Sequence, residues 1–572
     1  MKRGKYVLLI VLVFVALIVA TFFAFIYMEL GPRPVTVAAR SYLDLPLGGE
    51  VVEWSQPDLL SALFAGRTPL SMHDIWMNLR KAKVDPRVQG VLLRLSPLAC
   101  GWAKAEEIRL AILDFRQSGK KAVAFIEEAP QFNKEYYLAT ACDRIVLHPL
   151  GWLGIPGIGG DMPFFKEGLD KLGIEAQFVH IGKYKTAYNQ FTEKGFTPAH
   201  KEMEESLYSD IFDRFVKVVA QARRKSEAEV KALIDRAFFQ GEQAKAAGLV
   251  DDVLYADQLP ALFKGGGPAP VRVGFEDYLR VKPSSLGLES GRKVALIYAQ
   301  GPILSGESLN SQMIGGETLA RWIRRARLDS SAEAIVMRVD SPGGSAVASD
   351  TIAREVELAK KAKPFVISMS DVAGSGGYWI AMDAHKIVAE PQTLTGSIGV
   401  LSGKFSFAKL YDKLGVTSEP LKYGARSDVF STFRPLSKED EAVLLEQISW
   451  IYDRFLSKVS EGRNMTKEKV NEIGQGRVWT GGQGKAIGLV DELGGLSAAI
   501  EEAKRLAGIP TAESVKLDIY PRRTSWWQTF FGRGEEIRTL VLDPAVRKAL
   551  DSLKVMQQER ILALMPEMAI SH

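Results

Sequence analysis

The stretch AIVMRVDSPGGSAVASDTIAREVELAKKAKPFVISMSDVAGSGGYWIA, Ala334–Ala381, alternates two patterns. Ala334–Val339 and Pro364–Met369 are apolar runs too short for helices and read as buried strands. Between them, Ala348–Ala362 spaces its apolar residues as one face of a helix does. Working outward, VALIYA (Val294–Ala299) and KIVAE (Lys386–Glu390) add strands, and Ser437–Arg463 adds a long amphipathic helix. Strand–helix alternation of this kind predicts an α/β fold around a mostly parallel sheet.

The same pattern occurs twice. Lys171-Leu172-Gly173 returns as Lys413-Leu414-Gly415, an offset of 242. That offset carries Tyr136–Ala139 onto Tyr378–Ala381, Ile145-Val146 onto Ile387-Val388, and Gly182 onto Gly424. QAKAAGLVDD (Gln243–Asp252) resembles QGKAIGLVDE (Gln483–Glu492), with the offset slipped to 240, and Leu92–Pro97 resembles Val336–Pro342. Several matches in one register mark a duplication. The expected organisation is a first copy over 39–257, a Gly/Pro/Ser-rich linker over 258–291, a second copy over 292–508, and a helical tail over 509–572. The aromatic, basic run Thr524–Arg533 lies in that tail, which either packs on its own domain or touches a membrane surface.

At the N-terminus, a basic flank (residues 1–5, with Lys2, Arg3 and Lys5) precedes 23 uncharged residues, Tyr6–Met28. This length spans a bilayer core of roughly 30 Å. A cleaved signal peptide would have a shorter apolar run and a small-residue cleavage site; here Tyr27, Met28, Glu29 and Leu30 follow. The expectation is an uncleaved transmembrane anchor over 6–28, with the basic flank in the cytoplasm and the rest of the chain across the membrane.

Of 572 residues, 73 are Lys or Arg and 68 Asp or Glu, a net charge of +5. That balance gives no reason to expect nucleic acid as a partner. Cys100 and Cys142 lack metal-site spacing and read as small buried hydrophobes. Neither a phosphate-binding G-x-x-x-x-G-K-[ST] motif nor a metal-binding H-E-x-x-H motif occurs, so no cofactor and no metal are expected.

Chemistry concentrates at two turns of the second copy. After Val339 comes DSPGGSA, Asp340–Ala346, whose paired glycines permit a tight turn and close approach of a ligand to the backbone. The helix that follows aims its first amides at the turn, a suitable place for developing negative charge. After Met369 comes SDVAGSGGYWIA, where Ser375 sits among glycines between a strand and a helix, the setting of a nucleophile. A serine needs a base. Six histidines are present and none has an evident Asp partner. A lysine is the alternative: neutralising one at pH 7 costs about 4.6 kcal/mol in water, a gap that burial can close.

DSPGGS, AGSGGYWIA, LTGSIGV (Leu394–Val400) and KYKTA (Lys183–Ala187) together resemble the signal peptide peptidase A (protease IV) family in its long, duplicated bacterial form. The resemblance runs through nearly the whole chain. It implies two tandem crotonase-like domains, related to Clp protease, behind the transmembrane helix. It also implies Ser375 as nucleophile, Lys185 as general base, and the backbone amides of Gly344 and Gly376 as an oxyanion hole. The implied activity is ATP-independent cleavage of signal-peptide remnants by a homotetramer, with the catalytic domains on the extracytoplasmic side of the inner membrane.

The repeat register bears on those residues separately. Position 375 of the second copy falls on Asn133 of the first, and Lys185 falls on Ser427. One copy holds the base and the other the nucleophile. In place of the paired glycines the first copy has SPLACGW, Ser96–Trp102. Lys183 is a rival base; the register and the family motif select Lys185. Two other functions would use parts of this arrangement. An acyl-CoA enzyme would need the two amides but leaves Ser375 and Lys185 unexplained, and a catalytically dead membrane scaffold would need neither.

Overall fold

The structure, a computed structural model, describes residues 36–55, 69–129, 131–264, 267–268, 270–308, 312–522, 559 and 561–566, with the isolated positions 14, 17 and 21. Apart from those three positions, the anchor expected over 6–28 lies outside the described residues. Among the described residues no helix is long and apolar enough to cross a membrane.

The first copy contributes β1 (Ser41–Val52), β2 (Val88–Ala99), β3 (Lys121–Ile126), β4 (Arg144–Leu147), β5 (Glu175–Ile181), β6 (Asp252–Val253) and β7 (Val271–Gly274). The second contributes β8 (Lys293–Gln300), β9 (Ala332–Ser341), β10 (Gly343–Ser345), β11 (Phe365–Gly374), β12 (Lys386–Ala389), β13 (Val400–Ser406), β14 (Glu492–Leu493), β15 (Lys516–Tyr520) and β16 (Ile561–Leu564). The fold is α/β. One sheet has the order β7-β1-β2-β3-β4-β6 and another β15-β8-β9-β11-β12-β14, and every one of these pairings is parallel. The two orders correspond strand for strand. Their central strands read as unbroken apolar runs because both faces are covered: Val91 to Leu93 and Ile335 to Met337 are all fully buried.

Crossover helices link the strands: α1 (Trp102–Arg116), α2 (Asn133–Ala139), α3 (Ala346–Ala362), α4 (Gly376–Trp379) and α5 (Lys438–Arg463). The starts of α3 and α5 follow local chemistry. The Ser345 hydroxyl accepts from the Ala348 amide, and Ser437 and Asp440 form a reciprocal capping box.

Two expected boundaries change. The linker expected over 258–291 is partly structural: β7 closes the edge of the first sheet, Phe263 stacks on Tyr42 at 5.1 Å, and Tyr278 is fully buried. The tail, expected to be helical, forms strands where it is described. Lys516–Tyr520 packs Leu517 and Ile519 into one core cluster and Tyr520 into another at the second sheet's edge, and Ile561–Leu564 finds open strand edges on both sides. A four-residue apolar run does not distinguish helix from strand by itself.

Buried charges join the copies. Arg338 on β9 reaches Glu53 beyond β1 at 2.8 Å and also bonds Glu107 on α1. Lys104 on α1 meets Asp340 at 2.7 Å. Asp371 on β11 accepts from the Gly101 and Lys104 amides at the N-terminus of α1, at 2.7 and 2.8 Å. Desolvation offsets much of the attraction in such buried pairs, whereas removing one partner would leave an uncompensated buried charge. Cys100 and Cys142 are free thiols, each half-buried.

Candidate active site

A third sheet bridges the copies. Its order is Ile314–Gly315, Ile303–Leu304, β10, β16, β13, β5. It brings the paired glycines of the second copy together with the strand that leads to Lys185 in the first. β5 runs antiparallel to β13 in an unbroken register from Val400 opposite Ile181 to Ser406 opposite Glu175.

β11 delivers Ser375. The chain leaves the strand at Gly374, and Ser375 takes φ 56° and ψ −113°, a conformation that non-glycine residues rarely hold. Helix α4 starts at the next residue. A Cβ at Gly377 would fall 2.5 Å from the Ser341 carbonyl oxygen, so the turn needs glycine there.

β5 delivers Lys185. At Gly182, with φ +105°, the chain turns, and the Tyr184 amide donates to the Gln475 carbonyl of the second copy at 2.8 Å. The Tyr184 hydroxyl donates to Glu202 at 2.8 Å, and the Arg477 guanidinium lies over its ring at 4.8 Å. The segment is therefore clamped from the other copy. Lys183 is exposed, with its amine over the Tyr184 ring; Lys185 is completely buried.

The Lys185 Nζ lies 2.7 Å from Ser375 Oγ, 3.0 Å from the Ser397 carbonyl oxygen and 3.1 Å from Ser397 Oγ. Burial pushes its pKa well below that of a free lysine. The three partners suit a neutral amine: two N–H groups donate to Ser397, leaving the lone pair for the Ser375 hydroxyl proton. Ser397, in the Leu394–Val400 segment, also holds a positive φ of 50° and is fully buried. It was not among the predicted site residues, because nothing in its spacing distinguishes it from a turn serine. Among the described residues no histidine hydrogen-bonds Ser375: His73 pairs with Tyr298, His180 with Gly182 and His385 with Phe365.

Gly376 opens α4 beside the Ser375 turn, and Gly344, at φ +150°, pairs with Ile303 on one side and Ala563 on the other. A Cβ added to Gly343 would fall 2.6 Å from the Gly376 amide nitrogen, so the glycine turn and the head of α4 adjoin. Residues 343–345, 375–376, 185 and 397 thus lie close together. No His, Cys, Asp or Glu group fit to hold a metal occurs among the described residues.

In the first copy the equivalent positions carry other side chains, each bonded in place. Asn133 is locked to Gly157, its amide donating to the carbonyl at 2.8 Å and its oxygen accepting from the amide at 3.2 Å. Lys134 and Glu135 stand at the register positions of Gly376 and Gly377. Lys134 donates to the Cys100 carbonyl at 2.7 Å, and Glu135 accepts from the Leu98 amide at 2.6 Å. Ser427, the counterpart of Lys185, lies exposed in a surface loop.

A family model described as peptidase family S49 matches residues 114–264 and 357–510. The chain is 36% identical to the chloroplastic serine protease SPPA of Arabidopsis thaliana over 531 residues, which cover 91% of this chain and 77% of that protein. It is 34% identical to protease 4 of Haemophilus influenzae, covering 80% of this chain and 76% of the relative. Against protease 4 of Salmonella typhi the identity is 33%, with 88% and 79% covered.

Proposed function

The chain belongs to peptidase family S49 and is a serine peptidase, and from that premise we propose that it cuts peptides with a Ser375–Lys185 dyad shared between its two copies. The observation that carries this reading is the 2.7 Å approach of a wholly buried lysine amine to the Ser375 hydroxyl. The neutral amine takes the hydroxyl proton as Ser375 attacks the peptide carbonyl. The amides of Gly344 and Gly376 receive the oxyanion. The ammonium, costly in this buried setting, then gives its proton to the leaving amine. In the second half the same lysine activates water against the acyl-serine. No step calls for a metal, a nucleotide or another cofactor.

The substrates are extended, apolar peptides such as signal-peptide remnants, taken up as strands. The uncharged run Tyr6–Met28 anchors the chain in the inner membrane, with both crotonase-like copies on the extracytoplasmic side, where such remnants arise. A homotetrameric ring fits the unused halves of one strand pair. Within the chain, β5 pairs with β13. The register counterparts, residues 417–423 and 158–164, form no strand, and Leu421 and Tyr423 are 90% and 96% exposed. Pairing 417–423 of one chain with 158–164 of the next would be a head-to-tail contact, the kind from which rings are built.

The test is active-site labelling together with turnover. A fluorophosphonate should label Ser375 in the parent chain and not in Ser375→Ala. Turnover of a fluorogenic apolar peptide should fall about 1,000-fold or more in both Ser375→Ala and Lys185→Ala. In the parent, kcat/KM should rise with pH through the depressed lysine pKa. Labelling and turnover at parental rates in Lys185→Ala would remove the lysine from the mechanism.

A further inference from the structure

The groove beside Ser375 already holds a peptide strand, and that strand belongs to the chain itself. β16, Ile561–Leu564, lies between β10 and β13 and is antiparallel to both. On one side Leu562, Ala563 and Leu564 face Ser345, Gly344 and Gly343. On the other, Ile561 and Leu562 face Ser402 and Leu401. The Met565 amide extends the ladder by donating to the Pro342 carbonyl at 2.7 Å. Upstream, the Glu559 carboxylate accepts from the Ser305 amide and hydroxyl at 2.7 and 3.1 Å.

The alignment of this strand with the reacting groups is specific. A Cβ added to Gly343 would fall 2.0 Å from the Ala563 carbonyl oxygen and 2.6 Å from the Gly376 amide nitrogen. A Cβ at Gly376 would fall 3.1 Å from that same oxygen. The Ala563 carbonyl therefore points at the glycine turn and the head of α4, where the proposed oxyanion hole lies. The side chains are seated as well. Ala563 is fully buried, and Leu562, Leu564 and Met565 are nearly so. Leu564 packs with Leu304, Met313 and Leu401, and Met565 packs with Tyr184, Met203 and Val478. Backbone pairing on both edges with pockets for alternate side chains is how peptides join a sheet as an added strand.

We propose that Ile561–Met565 is a built-in pseudosubstrate: it occupies the cleft in the register of a substrate, with the Ala563 carbonyl in the place of the scissile one, and peptides must displace it. The inference rests on the dyad reading above. It also states what the cleft accepts, a small residue before the scissile bond with bulky apolar residues on either side. A tethered strand competes at high effective concentration, so the apparent affinity for a free peptide falls with the fraction of clefts left open.

The decisive measurement uses the full chain carrying Ser375→Ala, which cannot cut its own tail. Binding of a fluorescent Ile-Leu-Ala-Leu-Met peptide is followed by anisotropy in three forms: that chain, the same chain ended before Glu559, and the full-length chain with Ala563→Arg. Arginine at a fully buried position evicts the strand while leaving the rest of the tail present. Both altered forms should bind the peptide at least ten-fold more tightly than the unaltered one. Equal affinity in all three, or no measurable binding in any, overturns the pseudosubstrate. Failure of the dyad reading shows elsewhere, as an absence of fluorophosphonate labelling and turnover in the chain with Ser375 intact.

Discussion

At the scale of the residue, Lys185 sets the terms. In the unfolded chain its amine titrates near 10.4; in the folded chain burial holds it well below that value. Between the two values the unfolded chain binds more protons, so stability rises with pH through that window. Below the window the folded chain bears the full cost of the buried amine. Lys185→Met removes that cost, so its gain in melting temperature over the parent should be greatest at about pH 6 and should shrink towards about pH 10. A gain independent of pH would mean that the amine titrates as a free lysine does. Ser375 could be picked out as a glycine-flanked serine between a strand and a helix, whereas Lys185 came from the family resemblance, and the repeat register then set the two in different copies. Ser397 was only partly legible: it lies in the Leu394–Val400 motif, but nothing in composition or spacing tells its hydroxyl from that of any turn serine. The replacement of the second copy's glycines by Lys134 and Glu135 in the first copy was within reach: the register that placed Asn133 also places these two residues opposite Gly376 and Gly377.

At the scale of the element, the site depends on how closely segments of the two copies approach. A Cβ at Gly476 would fall 2.5 Å from the Lys185 amide nitrogen and 2.6 Å from its Cα. Gly476→Ala must therefore push the lysine segment away from Ser375. A displacement of about 1 Å at reacting groups costs on the order of 100-fold. The expected result is a loss of that size in kcat, a small change in KM, and a parallel loss in the rate of fluorophosphonate labelling. Unchanged kcat would show that the segment relaxes without moving the amine. The central strands and long helices followed directly from hydrophobic periodicity. The short strands at 271–274, 516–520 and 561–564 did not, because each is fixed by the edge it joins, and edges are a property of the assembled sheet.

At the scale of the whole molecule, the duplication was legible and the way its halves dock was not. Arg338, Glu53, Glu107, Lys104, Asp340 and Asp371 come from distant points of the chain, and no local pattern pairs them. The proposed ring makes a separate prediction. Leu421→Asp with Tyr423→Asp places two charges on the exposed counterpart of β5, where a neighbouring chain would pair. Light scattering should then report a smaller species than the parent, with circular dichroism unchanged. A parental mass would place the contact between chains elsewhere.

The contact between Lys185 and Ser375 joins positions 190 residues apart, and this has a consequence for biosynthesis. A ribosome makes the amine long before the hydroxyl, and the strand that accepts β5 comes later still. On the proposed dyad, a nascent chain is thus unarmed throughout translation of its first half. It acquires cutting power only when the second half has emerged, folded and closed against the first, so an unfinished copy poses no hazard to the polypeptides maturing around it.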